Sequence, residues 1–118
     1  MLELDFKSGL IPVATQDYVT GEVLMIAFMN EEAFKATLQT RCVHYWSRTN
    51  KRVWKKGEVS GHFQFVRDIL VDCDEDALVI KVEQIVAACH TGFKSCFFRK
   101  IDGEFIGTKA FNPDDVYK

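Results

Sequence analysis

The apolar run Val23-Leu-Met-Ile-Ala-Phe-Met29 constrains the fold of this chain more than any other feature. It falls far short of the ~20 residues that a membrane helix needs. Its length and its β-branched and aromatic members fit a strand buried on both faces. Asn30 follows directly and suits a helix N-cap. Glu31 and Glu32 then place negative charge in the first turn, where the helix dipole favours it. Phe34 and Leu38 fall on one face of that helix, which is expected to end near Thr40.

Beyond the helix the pattern turns to short strands. Cys42–Arg48 is aromatic and alternating, Thr49–Lys51 reads as a turn, and Arg52–Lys55 as a return strand. Lys56–Gly61 is polar with two glycines and reads as a loop. Phe63–Val71 and Ala77–Val82 have strand composition, with an acidic stretch between them. Asp102-Gly103 is a hairpin signal between the short segments Cys96–Lys100 and Glu104–Ile106, and the tail from Asn112 is expected to be loose. The chain has two prolines, Pro12 and Pro113, and no linker or repeat, so residues 1–118 read as one domain. The expected fold is mainly β, a β-rich α+β arrangement forming a small sandwich or pseudo-barrel with one or two helices.

Composition narrows the function. At 47% hydrophobic and 27% charged, the chain is neither disordered nor a coiled coil. Fifteen basic and seventeen acidic residues leave a formal charge of −2, which supplies no basic field for nucleic acid. The charged start Met1–Lys7 lacks the apolar stretch of a signal peptide, so no membrane association and a cytoplasmic location are expected. There the four cysteines serve as thiols, metal ligands or catalytic groups rather than disulfides.

Three constellations carry candidate chemistry. In Asp72-Cys-Asp-Glu-Asp76, an extended backbone would turn Asp72, Asp74 and Asp76 to one side and Cys73 to the other. Three carboxylates repel unless neutralised, and magnesium takes oxygen ligands. The plainer reading is a solvated acidic turn. In Cys89-His-Thr-Gly-Phe-Lys-Ser-Cys96, the cysteines are too far apart for a zinc knuckle, but Gly92 lets a loop bring both sulfurs to one point. Buried cysteines acting as small hydrophobes are the alternative. Adding Cys73 makes three thiolates with one open position, the mark of a catalytic zinc, and His90 is then a fourth ligand or a proton-transfer group. Tyr45-Trp-Ser-Arg48 and Trp54–Gly61 form the third. Gly57 and Gly61 permit close backbone approach, with Ser47, Arg48, Lys55, Lys56 and Ser60 as donors to a phosphate-bearing ligand. Trp46 and Trp54 either stack on a base or fill the core.

In this order the constellations resemble the phosphoribosyl-AMP cyclohydrolase family of histidine biosynthesis. The matching segments are Thr20–Asn30, Tyr45–Arg48, Trp54–Gly61, Asp72–Asp76, Cys89–Gly92 and Ser95-Cys96, within a span of about residues 6–99. The resemblance implies a zinc-dependent hydrolase that opens the adenine ring of phosphoribosyl-AMP by adding one water. It implies zinc on Cys73, Cys89 and Cys96, magnesium on Asp72, Asp74 and Asp76, and His90 as the proton-transfer candidate. Ser47, Arg48, Trp54, Lys56, Gly57, Glu58 and Ser60 become the substrate-binding candidates. It also implies an interlocked homodimer whose zinc sites are completed across the interface, with Cys42 an ordinary strand residue. The chain departs from the family in three places. Ser47-Arg-Thr-Asn50 stands where Ser-Arg-Ser-Arg is usual, Val86-Ala87 where Gly-Pro is usual, and Arg41 where glycine is common. A non-catalytic zinc module closed by His90 is the competing class, and a nucleic-acid module is a third.

Overall fold

A computed structural model describes residues 1–117. Two sheets and one α-helix make up the regular structure: β1 (Ile11–Asp17), β2 (Val23–Met29), α1 (Glu31–Thr40), β3 (His44–Ser47), β4 (Arg52–Lys55), β5 (Gln64–Val71) and β6 (Leu78–Gln84). Four strands form a mixed sheet in the order β2-β1-β6-β5, and β3 and β4 form a separate antiparallel ribbon. The central pair, β1 and β6, is parallel, and each edge strand joins antiparallel to its neighbour. The fold is mainly β, as expected. Among the described residues no helix is long and apolar enough to cross a membrane.

The bounds of β2, α1 and β4 match the sequence pattern. Asn30 accepts a hydrogen bond from the Ala33 N–H at 2.8 Å and caps α1, with Glu31 and Glu32 in the first turn. Two expectations need correction, one on β2 and one on the tail. β2 is not buried on both faces: it is an edge strand, and its outer side is left uncovered at Ile26, which is 58% exposed. β1 reads poorly in sequence because of Pro12. The ring is tolerated because Pro12 sits on the outer face, where the alternating burial of β1 exposes it. The hairpin signalled by Asp102-Gly103 forms as a short antiparallel pair: an Arg99–Phe105 bridge flanked by bonds from Lys100 N–H to Glu104 O and from Ile106 N–H to Phe98 O, both at 2.8 Å. Finally, the tail is not loose: Asn112 caps a 3-10 turn over Pro113–Asp115.

One face of the sheet holds the core. Ile11, Val13, Leu24, Leu78, Ile80 and Val82 point inward, beneath α1 and the β3–β4 ribbon. Tyr45, fully buried, reaches from the ribbon into the sheet. Its hydroxyl lies 2.5 Å from Thr15 Oγ1 and donates to Gln64 Oε1 at 2.6 Å, and Gln64 Nε2 donates to Gln84 Oε1 at 2.8 Å. Each of these buried side chains thereby finds a partner, which removes the penalty of burying it. The same burial pushes the Tyr45 hydroxyl pKa well above the ordinary tyrosine value, against the pull of its bonds to Thr15 and Gln64.

Two of the family departures fall where the backbone is left-handed. Arg41 ends α1 at φ 62°, and Val86 follows β6 at φ 56°. Glycine adopts this region freely, whereas a β-branched side chain pays about 1–2 kcal/mol. Replacing Val86 with glycine removes that strain, partly offset by the greater freedom of the unfolded chain. Val86→Gly is therefore expected to stabilise the fold by about 0.5–1 kcal/mol, read as a higher urea midpoint at unchanged slope.

Candidate active site

After β6 the chain turns through Val86 into a loop stitched to itself. Ala88 N–H donates to Lys94 O at 2.8 Å, and Cys89 N–H to Phe93 O at 3.3 Å. Cys96 N–H donates to Leu24 O at 2.7 Å, and Ser95 Oγ to Val23 O at 2.7 Å, anchoring the loop on β2. These bonds bring Cys89 and Cys96 together. The Cys96 thiol pKa is pushed up to about 11, first by the desolvation that the surrounding protein imposes and then by the charge and hydrogen bond of Cys89. Lys56 pulls it back down. Lys56 Nζ donates to Ala88 O at 2.5 Å, clamping the 56–61 loop to the cysteine loop. Its own pKa is lowered by burial, which the two thiols partly counter.

The 56–61 loop forms a wall beside this pair. Gly57 stands at φ +93°, and a Cβ there would lie 2.8 Å from the backbone of His62 and Phe63, so only glycine fits. A cleft of about 250 Å³ opens next to it. Trp54, Lys56, Gly57, Glu58 and Ser60 line it together with His90, as do Lys55, Val59 and Tyr117. Trp54 rests on Tyr45 with ring centroids 5.3 Å apart, so it joins the core to the cleft. The Glu58 carboxylate is gripped by both Arg52 guanidinium nitrogens at 2.9 and 3.0 Å. Ser47 and Arg48 lie outside this cleft at the far end of the β3–β4 ribbon. Ser47 Oγ accepts from Asn50 N–H, and Arg48 packs over the Phe28 ring at 4.3 Å. Cys42 forms a single bridge to Phe65 rather than lying within a strand.

The acidic segment is a tight turn between β5 and β6, the plainer of the two sequence readings, and not an extended chain. Glu75 adopts φ 58° and donates its N–H to Asp72 O, while Asp72 Oδ1 accepts from Asp76 N–H at 3.0 Å. The carboxyls of Asp72 and Asp76 still converge. The Asp76 backbone bond lowers the Asp72 pKa, and the hydrogen bond from the Asp72 side chain raises that of Asp76. Cys73 sits in this turn, before β6, whereas Cys89 and Cys96 follow it. Six residue steps along β6 place the two ends of that strand about 20 Å apart. Among the described residues of one chain, no three His, Cys, Asp or Glu side chains converge as metal ligands.

Two further residues at the site carry no motif signal. His62 is 8% exposed, sits edge-on to Phe111 at 4.7 Å, and has an Nδ1 without a partner. Its pKa is lowered by burial and by the nearby Lys56 charge. Its position directly after Gly61 was the one available hint. Tyr117 reaches the cleft from the C-terminal tail, with no sequence signal at all.

Paired thiols, an enclosed lysine and an imidazole, all carried on loops of a rigid sheet, are the arrangement of a small enzyme site. The family model for phosphoribosyl-AMP cyclohydrolase matches residues 25–98. A relative of that name from Methanocella arvoryzae is 56% identical over 118 residues, covering 100% of this chain and 99% of the relative. One from Methanoregula boonei is 58% identical, covering 99% of this chain and 96% of the relative. One from Methanothrix thermoacetophila is 56% identical, covering 95% and 93%. The chain belongs to the phosphoribosyl-AMP cyclohydrolase family.

Asp17 ties the cysteine loop to the sheet. Lys94 Nζ lies 2.8 Å from Asp17 Oδ2, and Asp17 Oδ1 accepts from Val19 and Thr20 N–H groups. Burial alone would raise the Asp17 pKa, but the Lys94 hydrogen bond and the two backbone donors outweigh it and hold the carboxyl at about 2. An unfolded chain titrates its aspartates near ~3.9. The stabilisation is therefore complete above that value and is lost as pH falls through about 2. Asp17→Asn is expected to cost about 1–2 kcal/mol at neutral pH. Urea melts of variant and wild type should then converge as the pH approaches 2.

Proposed function

We propose that this chain hydrolytically opens the adenine ring of 1-(5-phosphoribosyl)-AMP between ring nitrogen 1 and carbon 6. The product is the phosphoribosyl-formimino-aminoimidazole carboxamide ribotide of L-histidine biosynthesis. The observation that carries this reading, in a chain of this family, is that Lys56 and His90 line one cleft while Lys56 is also bonded to the loop that pairs Cys89 with Cys96.

The donor set fits zinc. Burial first and the neighbouring Cys89 second favour the protonated Cys96 thiol, and a soft divalent cation reverses that preference. Cys89 and Cys96 would hold it together with Cys73 of a second copy, because β6 keeps Cys73 of the same chain at the other end of the sheet. When bound, zinc supplies the Lewis acidity that lets water act as a nucleophile near neutral pH. The converging carboxyls of Asp72 and Asp76, with Asp74 adding its charge, suit a hard cation such as magnesium. A cytoplasmic setting keeps the thiols reduced, as this reading requires.

The chain's own residues supply the remaining steps. The second phosphoribosyl group leaves the purine ring cationic and electrophilic at carbon 6. Lys55, Lys56 and the Ser60 hydroxyl line the cleft and attract the phosphates. The His90 imidazole takes a proton from the water adding to carbon 6. It returns that proton to nitrogen 1 as the N1–C6 bond breaks, and the proton left on the new C6 hydroxyl goes to solvent, so the cationic ring and one water give the neutral carboxamide and one released proton. Lys56 holds the cleft wall against the cysteine loop throughout.

Two observations support a homodimer. Ile26, Ala14, Val79 and Leu70 are register partners in an unbroken row across all four strands on the outer sheet face. With Pro12 they line an apolar hollow of about 320 Å³ whose one charged residue is Asp72. An exposed apolar surface of this kind calls for a cover, and the same face carries the acidic turn that would have to meet a partner's cysteines.

Ultraviolet-monitored turnover of phosphoribosyl-AMP is expected with the metal-loaded protein and is abolished by a chelator. Cys73→Ser, Cys89→Ser and Cys96→Ser are each expected to lose zinc and activity, while Cys42→Ser keeps both. Zinc stoichiometry that survives Cys96→Ser overturns the ligand assignment.

Mixing the inactive Cys73→Ser and Cys89→Ser variants under subunit exchange tests the shared site. In a heterodimer one interface inherits both defects and the other none. At statistical mixing, activity should return to roughly a quarter of wild type. No recovery after demonstrated exchange means that each site is built within one chain.

A further inference from the structure

The C-terminal segment is held against the cysteine loop by specific contacts. Lys109 bridges to Phe93, and Ala110 N–H donates to Gly92 O at 2.7 Å. The approach is so close that a Cβ on Gly92, which stands at φ +108°, would lie 2.7 Å from Phe111 O. Phe111 then packs on His62. Asn112 caps the 3-10 turn that follows, and Tyr117 N–H closes back on Pro113 O at 2.8 Å. The result is a fixed position for the Tyr117 ring, 6.3 Å from Phe111 and edge-on to His90 at 6.5 Å. Tyr117 remains 40% exposed, and it lines the same cleft as Lys55, Lys56 and His90.

An aromatic ring that is anchored on one side and open on the other, in a cleft supplied with cations, has the makings of a stacking platform for an anionic aromatic ligand. Trp54 serves this purpose less well, because its ring is already engaged with Tyr45 and Lys56 lies over it at 5.6 Å. We propose that Tyr117 is a substrate-binding residue that stacks on the purine ring and holds it beside His90. This rests on the reading of the cleft as the phosphoribosyl-AMP site. It also explains why the tail is stitched to the Gly92 loop: the contacts set the distance between the stacking ring and the proton-transfer group.

The test uses full-length Tyr117→Ala, Tyr117→Leu and Tyr117→Phe, with zinc content and circular dichroism confirming that each variant is folded and loaded. Loss of the ring in Tyr117→Ala is expected to raise KM by about tenfold while kcat changes by less than about threefold. Tyr117→Leu, which keeps apolar bulk without a π face, should show the same defect, and Tyr117→Phe should restore KM to within about twofold of wild type. AMP, which carries the purine and one phosphate, gives a second readout. Its dissociation constant, measured by equilibrium dialysis, should weaken in parallel with KM across the three variants. An unchanged KM and AMP affinity in Tyr117→Ala overturns the proposal. So does full restoration by Tyr117→Leu, or a loss confined to kcat, which would place Tyr117 behind His90 rather than against substrate. Absence of phosphoribosyl-AMP turnover by the wild type overturns the functional reading instead, and the AMP series then still decides whether Tyr117 is a purine platform.

Discussion

The hydrogen-bonded length of β6 is the constraint on which the site depends. The strand is paired on both sides, parallel to β1 and antiparallel to β5, so it can neither shorten nor bend to bring its ends together. Its two flanking loops carry the candidate metal ligands, the acidic turn with Cys73 at one end and the Cys89–Cys96 loop at the other. A three-thiolate centre that the short stretch of sequence invites one to draw inside a single chain is therefore blocked by geometry. The proposed two-fold assembly resolves this conflict through packing, since an antiparallel arrangement of two sheets sets the acidic end of one against the cysteine end of the other.

The rest of the architecture keeps those ends in place. The buried run from Thr15 through Tyr45 and Gln64 to Gln84 crosses β1, the ribbon, β5 and β6, and it ties the β3–β4 ribbon to the sheet at one register. Trp54 on Tyr45 carries that order outward to the cleft wall. The Lys56 bond to Ala88 O and the Asp17–Lys94 ion pair then bind the cysteine loop to the wall on one side and to the sheet on the other. Such a loop needs little further ordering when it takes up a ligand, which lowers the entropic cost of binding.

Much of this was legible in the sequence, for local reasons. β2, α1 and β4 were readable because apolar run, N-cap and turn chemistry act over a few residues. The loop at 56–61 was readable from Gly57 and Gly61, and the thiol pair from Gly92 between Cys89 and Cys96. The resemblance marked Val86 and Arg41 as places where family glycines are replaced, and only the backbone angles show that both lie in the left-handed region. β1 was hidden because Pro12 masks a strand unless it is known to face outward, and the acidic segment stayed open between two readings because a period-two pattern of aspartates fits both an extended strand and a solvated turn.

The sequence by itself determined the residue types that carry chemistry, their order and the family to which they belong, since ligand softness, charge and hydrogen-bonding capacity reside in the side chains. Tertiary structure alone decided which of them meet. It brought Lys56 to the cysteines, placed Ser47 and Arg48 away from the cleft, separated Cys73 from Cys89 by the length of a strand, and carried Tyr117 from the end of the chain to the side of His90. These are contacts between residues distant in sequence. They are set by sheet order and loop anchoring, which no local pattern encodes.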